Sequence, residues 1–188
     1  MPSGKDKRQL VPQFCIILRG PAGAGKSRLA GEIQQDLSQK VAVIDTDIFN
    51  WQIVPGEDDK ELVYNNVIVL ASNYLARGYG VIVEGLIITL EERGAIEKLR
   101  QIAESRRAAF IDFYCRIPKH LALRRNRGRG KDIPDSQIEA WWDLAEDDKA
   151  NVPWLLVELD MTLSPQECAA EVLSRLRSTR ATGQEEQS

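Results

Sequence analysis

The sequence predicts an α/β fold in which helices cover both faces of a parallel sheet. Short apolar runs of buried-strand length alternate along the chain with segments whose apolar residues recur at helical spacing. This alternation places a helix between successive strands, which is typical of a parallel sheet. No repeat or long linker interrupts the pattern, so the 188 residues predict one domain.

Five apolar runs predict the strands, and the segments between them predict the helices. The predicted strands cover residues 14–18, 41–44, 81–83, 108–114 and 153–159. The predicted helices cover residues 28–37, 60–77, 91–105, 134–149 and 164–177, and Pro118 fits the first turn of another. We expect residues 1–12 to form a flexible arm, residues 13–178 the domain, and residues 179–188 a flexible tail.

The composition is that of an ordinary soluble protein, with 43% hydrophobic and 28% charged residues. A net charge of −3 gives no general attraction to nucleic acid. No apolar run approaches the ~20 residues of a membrane span, and the N-terminus lacks a signal-peptide pattern, so we expect a cytoplasmic protein without membrane contact. Cys15 and Cys115 lie in strand-like runs and are expected to be buried thiols in a reducing compartment, while a single histidine argues against a zinc site.

A glycine-rich motif follows the first predicted strand and opens the first predicted helix. It fits G-x-x-x-x-G-K-[ST], the phosphate-binding P-loop, and has the strand–loop–helix context that the motif requires. The glycines allow backbone N–H groups to point at one anion near a helix N-terminus. We expect Lys26 to contact the β- and γ-phosphates and Ser27 to hold Mg²⁺. The predicted nucleotide-binding residues are Gly20, Pro21, Ala22, Gly23, Ala24, Gly25, Lys26, Ser27 and Arg28.

A glycine-rich turn that binds nothing is the alternative, and the flanking strand and helix argue against it. The motif therefore predicts ATP and Mg²⁺ as cofactors. No Asn-Lys-x-Asp motif is present to read guanine, which argues against a GTPase switch.

Acidic residues follow the second and third predicted strands, at the sheet edge where ligands of such folds bind. Phosphoryl transfer needs a group that accepts the proton of the nucleophile, and we assign Asp47 this role of general base. Asp45 is expected near Mg²⁺. Helix capping by Thr46 or Asp47 is the open alternative. Glu84 ends an apolar strand as in a Walker B motif, so Ser27, Asp45 and Glu84 are the predicted metal residues.

A basic segment over residues 124–131 contains five cations and two glycines. We predict that it belongs to a mobile lid over about residues 124–134, whose arginines stabilise charge on the transferring phosphoryl group. A solvated charged face is one alternative, and binding to a nucleic-acid backbone is another. The acidic surroundings favour the lid.

Aromatic and polar residues after Asp47 are candidates for the acceptor side of the site. Trp51 lies just past Asp47, and Tyr64, Asn65 and Asn66 could face the same cleft. The other three tryptophans, at positions 141, 142 and 154, are expected in the core or at an interface. His120 is expected on the surface.

The sequence resembles a group of small P-loop kinases that includes chloramphenicol phosphotransferase, the kinase domain of phage polynucleotide 5′-hydroxyl kinase and the zeta-toxin kinases. Residues 20–27, 41–47 and 123–130, with the Ile133-Pro134 pair that follows, carry the resemblance, which spans about residues 14–177. It implies a five-stranded parallel sheet of order 2-3-1-4-5 with a lid, and adenine near residues 161–165. It also implies Asp47 as base, with Arg125 and Arg129 as catalytic lid arginines and Arg125 in contact with the nucleotide.

Two departures from these relatives bear on the acceptor. Polynucleotide kinases carry an arginine three residues after the base, where this chain has Asn50. Nucleoside monophosphate kinases use arginines in the helix after the second strand, and residues 60–76 contain none. Both departures predict an acceptor without a phosphate at that place, namely a small neutral or aromatic alcohol.

The resulting hypothesis is an ATP- and Mg²⁺-dependent phosphotransferase acting on a hydroxyl of a small molecule. A polynucleotide or RNA 5′-hydroxyl kinase is the alternative enzyme. A nucleotide-gated binding module without transfer, in which Trp141 and Trp142 form an interface, is the alternative of another class. Nucleic acid is thus the less favoured partner, and the sequence leaves the oligomeric state open.

Overall fold

The described residues form a single parallel sheet with helices on both faces. The computed structural model describes residues 10–56, 59–87, 90–128, 133–154 and 156–185. Within them lie the strands β1 (Phe14–Arg19), β2 (Val41–Asp45), β3 (Gly80–Gly85), β4 (Ala109–Arg116) and β5 (Val157–Asp160). All pairings are parallel and the order is β2-β3-β1-β4-β5, which confirms the predicted fold class and the strand order implied by the resemblance.

Five α-helices connect these strands in the described part of the chain, and a sixth follows β5. They are α1 (Lys26–Asp36), α2 (Lys60–Leu75), α3 (Leu90–Ser105), α4 (Lys119–Arg127), α5 (Asp135–Ala150) and α6 (Pro165–Glu185). A short π-helical segment, Phe49–Ile53, lies between β2 and α2. None of the described helices is long and apolar enough to cross a membrane.

Strand β1 is buried along its whole length and divides the core in two. Phe14, Ile16 and Leu18 pack with α1 and α6 on one face, while Cys15 and Ile17 pack with α2 and α3 on the other. Alternate side chains of a strand point to opposite faces, which explains the division. Because β1 is the central strand, the loop that follows it opens at the middle of the sheet edge.

The three cysteines are buried free thiols, as predicted for Cys15 and Cys115. Burial raises the pKa of both of these thiols to about 12. His120 is exposed near the start of α4, as predicted.

Several predicted boundaries are wrong. Val11 packs into the core, so the predicted flexible arm does not extend to residue 12; residues 1–9 lie outside the described part of the chain. Strand β5 begins at Val157 instead of Pro153, because proline has no N–H for the ladder. Helix α6 runs to Glu185 instead of ending near Arg177.

The predicted lid is partly helical. Arg124 to Arg127 form the last turn of α4, which continues to Gly128 because nothing before that glycine breaks the helix. Asn126 Nδ2 donates to the Ile133 carbonyl at 3.0 Å and joins the two ends of the segment. Residues 129–132, including Arg129, lie outside the described residues, so mobility of a lid stays a prediction.

Candidate active site

The glycine-rich loop takes a conformation that other residues would strain. Gly20, Gly23 and Gly25 have φ angles of 131°, 81° and 101°. A Cβ atom at Gly23 would lie 2.6 Å from the carbonyl oxygen of Ala122 on α4. At Gly20 it would lie 2.9 Å from the Cys115 carbonyl oxygen on β4. The glycines therefore also let the loop pack against β4 and α4, a role that the motif alone does not indicate.

Lys26 begins α1 and points its ammonium group back into the loop. Its side chain is 8% exposed, and Nζ donates to the carbonyl oxygens of Gly20 at 2.9 Å and Pro21 at 3.0 Å. These bonds satisfy a buried charge, as burial requires. The ammonium thus already lies at the loop and at the N-terminus of α1, where an anion is stabilised.

Ser27 and the acids after β2 and β3 form one cluster. Glu84 is 3% exposed and is hydrogen-bonded to the Ser27 side chain. Burial raises the pKa of Glu84, and nearby Asp45 and Asp47 raise it further, while the Ser27 bond and Lys26 oppose this. The residues that the sequence assigned to metal binding are therefore brought together with the loop lysine.

Asp45 fixes the turn that presents Asp47. Its Oδ1 accepts the backbone N–H of Asp47 at 2.9 Å. Ile48, the residue before the π-helical segment that follows, makes no side-chain cap hydrogen bond. Asp47 itself is exposed and lines the cleft beside the loop.

Thr46 locks the segments after β2 and β3 together. Its N–H donates to the Glu84 carbonyl at 2.9 Å, and its side chain fills the space where Gly85 has no Cβ. A Cβ at Gly85 would lie 1.9 Å from Thr46 Oγ1, so only glycine fits there. This contact holds Glu84 and Asp47 in a fixed relation.

A cleft of about 510 Å³ joins the loop to the acids. Trp51 lines it, as expected, and Tyr64 does so too, whereas Asn65 and Asn66 lie on the exposed face of α2, outside it. The described side chains that line it also include Lys26, Ser27, Asp47, Lys60, Glu84, Leu86, Glu92, Asn126 and Trp141. The sequence analysis missed Lys60 and Glu92, and it assigned Trp141 to the core or an interface.

A second pocket, of about 350 Å³, lies on the other side of the glycine loop. Its lining includes Arg28 and the segment after β5, with Met161, Leu163 and Pro165. Arg125 closes one wall: Nη1 donates to the Ala24 carbonyl at 2.8 Å and Nη2 to the Met161 carbonyl at 2.9 Å. This is the place at which the resemblance implies adenine, and we call it the nucleotide-side pocket.

A buried ion network lies directly beneath the loop, and the sequence analysis missed it. Arg19, the residue before Gly20, is fully buried; its Nε donates to Asp112 at 3.1 Å and its Nη1 to Asp148 at 2.5 Å. Arg93 Nε also donates to Asp148, at 2.7 Å. The network ties α3 and α5 to the sheet. An arginine ending an otherwise apolar strand was the available signal.

The other tryptophans have structural contacts. Trp142 Nε1 donates to the Ile117 carbonyl at 2.9 Å, and Trp154 Nε1 donates to Asp112 Oδ2 at 2.8 Å. Their indole N–H groups are satisfied inside the protein, which fits the prediction of a position in the core or at an interface.

Comparison with solved structures finds kinases of the same fold. A gluconokinase from Sinorhizobium meliloti 1021 has a TM-score of 0.65 and 18% identity, over 96% of this chain and 100% of that one. A sugar kinase from Janibacter sp. HTCC2649 has a TM-score of 0.63 and 16% identity, over 87% of this chain and 94% of that one. An APS kinase from Mycobacterium tuberculosis has a TM-score of 0.62 and 17% identity, over 88% of this chain and 98% of that one. At these identities the likeness shows the fold.

No curated protein sequence matches the chain. A family model described as an AAA domain matches residues 15–147, from the first strand through the glycine loop and the cleft to α5. The match covers more than half of the chain, and the protein therefore belongs to this AAA domain family.

Proposed function

We propose that the protein is an ATP- and Mg²⁺-dependent phosphotransferase that moves the γ-phosphoryl group to a hydroxyl of a small molecule. The observation that carries the proposal is the single cleft in which Lys26 and Ser27 face the same space as Asp47 and Trp51. Phosphoryl transfer needs a phosphate cradle and a proton acceptor within one site, and this cleft contains candidates for both. The kinases of similar fold support the same reaction class.

The nucleotide would use both sides of the glycine loop. The loop N–H groups and Lys26 would hold the β- and γ-phosphates, and the nucleotide-side pocket beside Met161 would take the base. Arg125 lies between these two places. Its guanidinium would bind the nucleotide rather than the acceptor.

The residues present fit a magnesium ion. Ser27, Asp45 and Glu84 offer oxygen donors, which Mg²⁺ prefers, and the Ser27–Glu84 hydrogen bond places two of them together. No group of three or more histidine, cysteine or acidic residues with metal-binding geometry occurs within the described residues. Mg²⁺ suits such a sparse set because it keeps several waters and takes phosphate oxygens. When bound, the ion neutralises charge on the phosphates.

Asp47 would act as the general base. The acceptor oxygen forms a bond to the γ-phosphorus, the bond from that phosphorus to the ADP oxygen breaks, and the hydroxyl proton passes to the Asp47 carboxylate. Lys26 stabilises the charge on the transferring group. Arg129 keeps its proposed role as a lid arginine, which would complete this charge stabilisation.

Transfer of a labelled γ-phosphoryl group tests the proposal. The protein is incubated with γ-labelled ATP, MgCl₂ and a panel of alcohols that includes chloramphenicol, sugars and polyols. We expect label in an alcohol with the wild type and none with Lys26→Ala, whose loop lacks the phosphate charge. ATP binding without any labelled product, together with a stable protein partner, would instead identify a nucleotide-gated binding module.

The cleft disfavours the alternative of a polynucleotide kinase. Its cationic lining residues within the described part of the chain are Lys26, which serves the nucleotide, and Lys60, which pairs with Glu92 at 3.5 Å. A nucleic-acid end needs cations for its phosphates. Steeply salt-sensitive binding of a 5′-hydroxyl oligonucleotide, measured by fluorescence anisotropy at low salt, would reverse this choice.

A further inference from the structure

The acceptor half of the cleft contains a buried carboxylate that the proposed reaction does not use. Glu92, on α3, lines the cleft yet is 1% exposed. Its Oε1 accepts the Tyr64 hydroxyl at 3.1 Å and lies 3.5 Å from Lys60 Nζ, both on α2. A buried carboxylate is costly unless it is paired, and removal of one partner leaves that cost uncompensated. Glu92, Lys60 and Tyr64, which we call the Glu92 cluster, form an ion pair without net charge, to which the Tyr64 hydroxyl donates a hydrogen bond.

The Glu92 cluster is connected to the turn that carries the proposed base. The Tyr64 hydroxyl is hydrogen-bonded to the Thr46 side chain as well as to Glu92. Burial, and then the charge of Glu92, raise the pKa of Tyr64, so its hydroxyl stays protonated and donates. A continuous line of polar groups therefore runs along the cleft wall from the residue beside Asp47 to Lys60.

Two indole rings line the same space. Trp51, 54% exposed, and Trp141 both face the cleft that contains the Glu92 cluster. Aromatic faces give an apolar surface for the C–H groups of a ligand, while the carboxylate accepts and the ammonium donates hydrogen bonds. A molecule with several hydroxyl groups on a carbon skeleton matches this combination.

Charge opposes an acidic acceptor at this place. Asp47, Glu84 and Glu92 line the cleft, and the cation on the acceptor side among the described lining residues, Lys60, is engaged by Glu92. An acceptor carboxylate would have to draw Lys60 away and leave Glu92 buried without its ion pair. Such a site rejects the acidic analogue of a neutral ligand.

We propose that the Glu92 cluster determines acceptor specificity and that the acceptor is an uncharged polyhydroxylated molecule, a polyol or a neutral sugar. Glu92 accepts a hydrogen bond from a hydroxyl other than the reacting one, Lys60 donates to a neighbouring oxygen, and the indole rings pack on the carbon skeleton. The proposal rests on the proposed function, because it names the acceptor of that same site.

Matched pairs of acceptors test the selectivity. Sorbitol is compared with gluconate, and glucose with glucuronate, by ADP release and product detection with the full chain, ATP and MgCl₂. We expect the neutral member of each pair to have the higher kcat/KM, by at least about tenfold, which is the effect of one lost buried ionic contact. Preference for the acidic member would overturn the proposal.

Glu92→Gln tests the residue, and Glu97→Gln is its control on the same helix. Glu97 lies outside the cleft, paired to Arg100. We expect E92Q to raise the KM for the neutral acceptor about tenfold and to reduce the neutral-over-acidic preference, with the KM for ATP unchanged. The control leaves all three values unchanged. An unchanged acceptor KM in a folded E92Q protein would contradict the proposal.

Tyr64→Phe provides a second variant if E92Q does not fold. It keeps the ring in the core and removes only the hydroxyl that donates to Glu92. We expect it to raise the KM for the neutral acceptor while thermal unfolding remains cooperative. An unchanged KM for this folded variant contradicts the proposal.

A binding measurement separates this proposal from the proposed function. Isothermal titration of Asp47→Asn, loaded with a non-hydrolysable ATP analogue and Mg²⁺, is performed with sorbitol and with gluconate. Saturable sorbitol binding to Asp47→Asn that an added E92Q change weakens about tenfold, without transfer by the wild type, supports the Glu92 cluster and contradicts the phosphotransferase. Transfer to another alcohol without polyol binding supports the phosphotransferase and contradicts the proposed role of the Glu92 cluster. If the protein shows no polyol binding and no transfer, both proposals are overturned.

Discussion

The two halves of the site are built in different ways. The proposed nucleotide half is built largely from backbone: glycines with positive φ, a helix N-terminus, and a loop packed against the carbonyl oxygens of Ala122 and Cys115. Lys26 and Arg125 add its charged side chains. The acceptor half consists of side chains from separate elements, among them Asp47, Lys60, Glu92 and Trp141. The comparison shows that the glycine loop depends on local chain geometry, whereas the proposed acceptor region depends on tertiary packing. We therefore expect variants in one half to change ATP binding and variants in the other to change the use of the acceptor.

Gly23→Val should have the largest effect on the nucleotide half. The new side chain meets the Ala122 carbonyl oxygen, with a Cβ contact of 2.6 Å, at a φ of 81° that valine avoids. We expect ATP binding and transfer to fall below detection. Gly31→Ala is the control, because Gly31 has open space in α1, and it should raise stability by about 0.5–1 kcal/mol. Calorimetric titration measures ATP binding, and thermal unfolding measures stability. Normal ATP binding by a folded G23V protein would contradict the claim that the close contact at Gly23 excludes a side chain.

Arg125→Ala should have an intermediate effect that remains within the nucleotide half. It removes the bonds to the Ala24 and Met161 carbonyl oxygens, and we expect about tenfold weaker ATP binding, or ~1.4 kcal/mol. Arg124→Ala, on the exposed face of the same helix, should stay within twofold. Acceptor KM at saturating ATP should change in neither. Equal losses in the two variants would show that overall charge matters, not this contact.

Glu84→Gln should have the smallest effect on the ligand-free protein, a change in the pH dependence of its stability. Burial raises the pKa of Glu84 in the folded state, so the native protein holds this proton more tightly than the unfolded chain does. The ionised carboxylate therefore destabilises the fold as pH rises above the unfolded pKa. We expect E84Q to raise Tm at pH 8 and to have progressively less effect as pH falls to 4. If E84Q has a lower Tm than the wild type at pH 8, the inference that the ionised Glu84 carboxylate destabilises the fold is contradicted.

The sequence predicted the strand, the glycine loop and the helix of the proposed nucleotide half well, because their determinants are adjacent in the chain. Residues 20–27, the preceding apolar run and the following helix define the loop without further information. Strand alternation likewise predicted the sheet, since burial on both faces produces continuous apolar runs. Chain ends were less predictable, since Val11 is buried in the core although it precedes the first strand.

The acceptor half was only partly predictable because its residues meet through packing. Trp51 and Tyr64 were anticipated from their nearness to Asp47, yet Asn65 and Asn66 lie on the other face of α2. Glu92 and Trp141 come from helices with no motif, and only the docking of α3 and α5 brings them to the cleft. Arg19 is similar, since its partners Asp112 and Asp148 are distant in sequence.

The Asp47→Asn variant tests whether one cleft combines the nucleotide half with the acceptor half for phosphoryl transfer. The change keeps the size of the side chain and the turn held by Asp45 Oδ1, but removes the proton acceptor. We expect ATP affinity within twofold of the wild type and a fall in kcat of roughly 10²–10⁴, measured by titration and by transfer of labelled γ-phosphate. Full transfer by this variant would contradict the account.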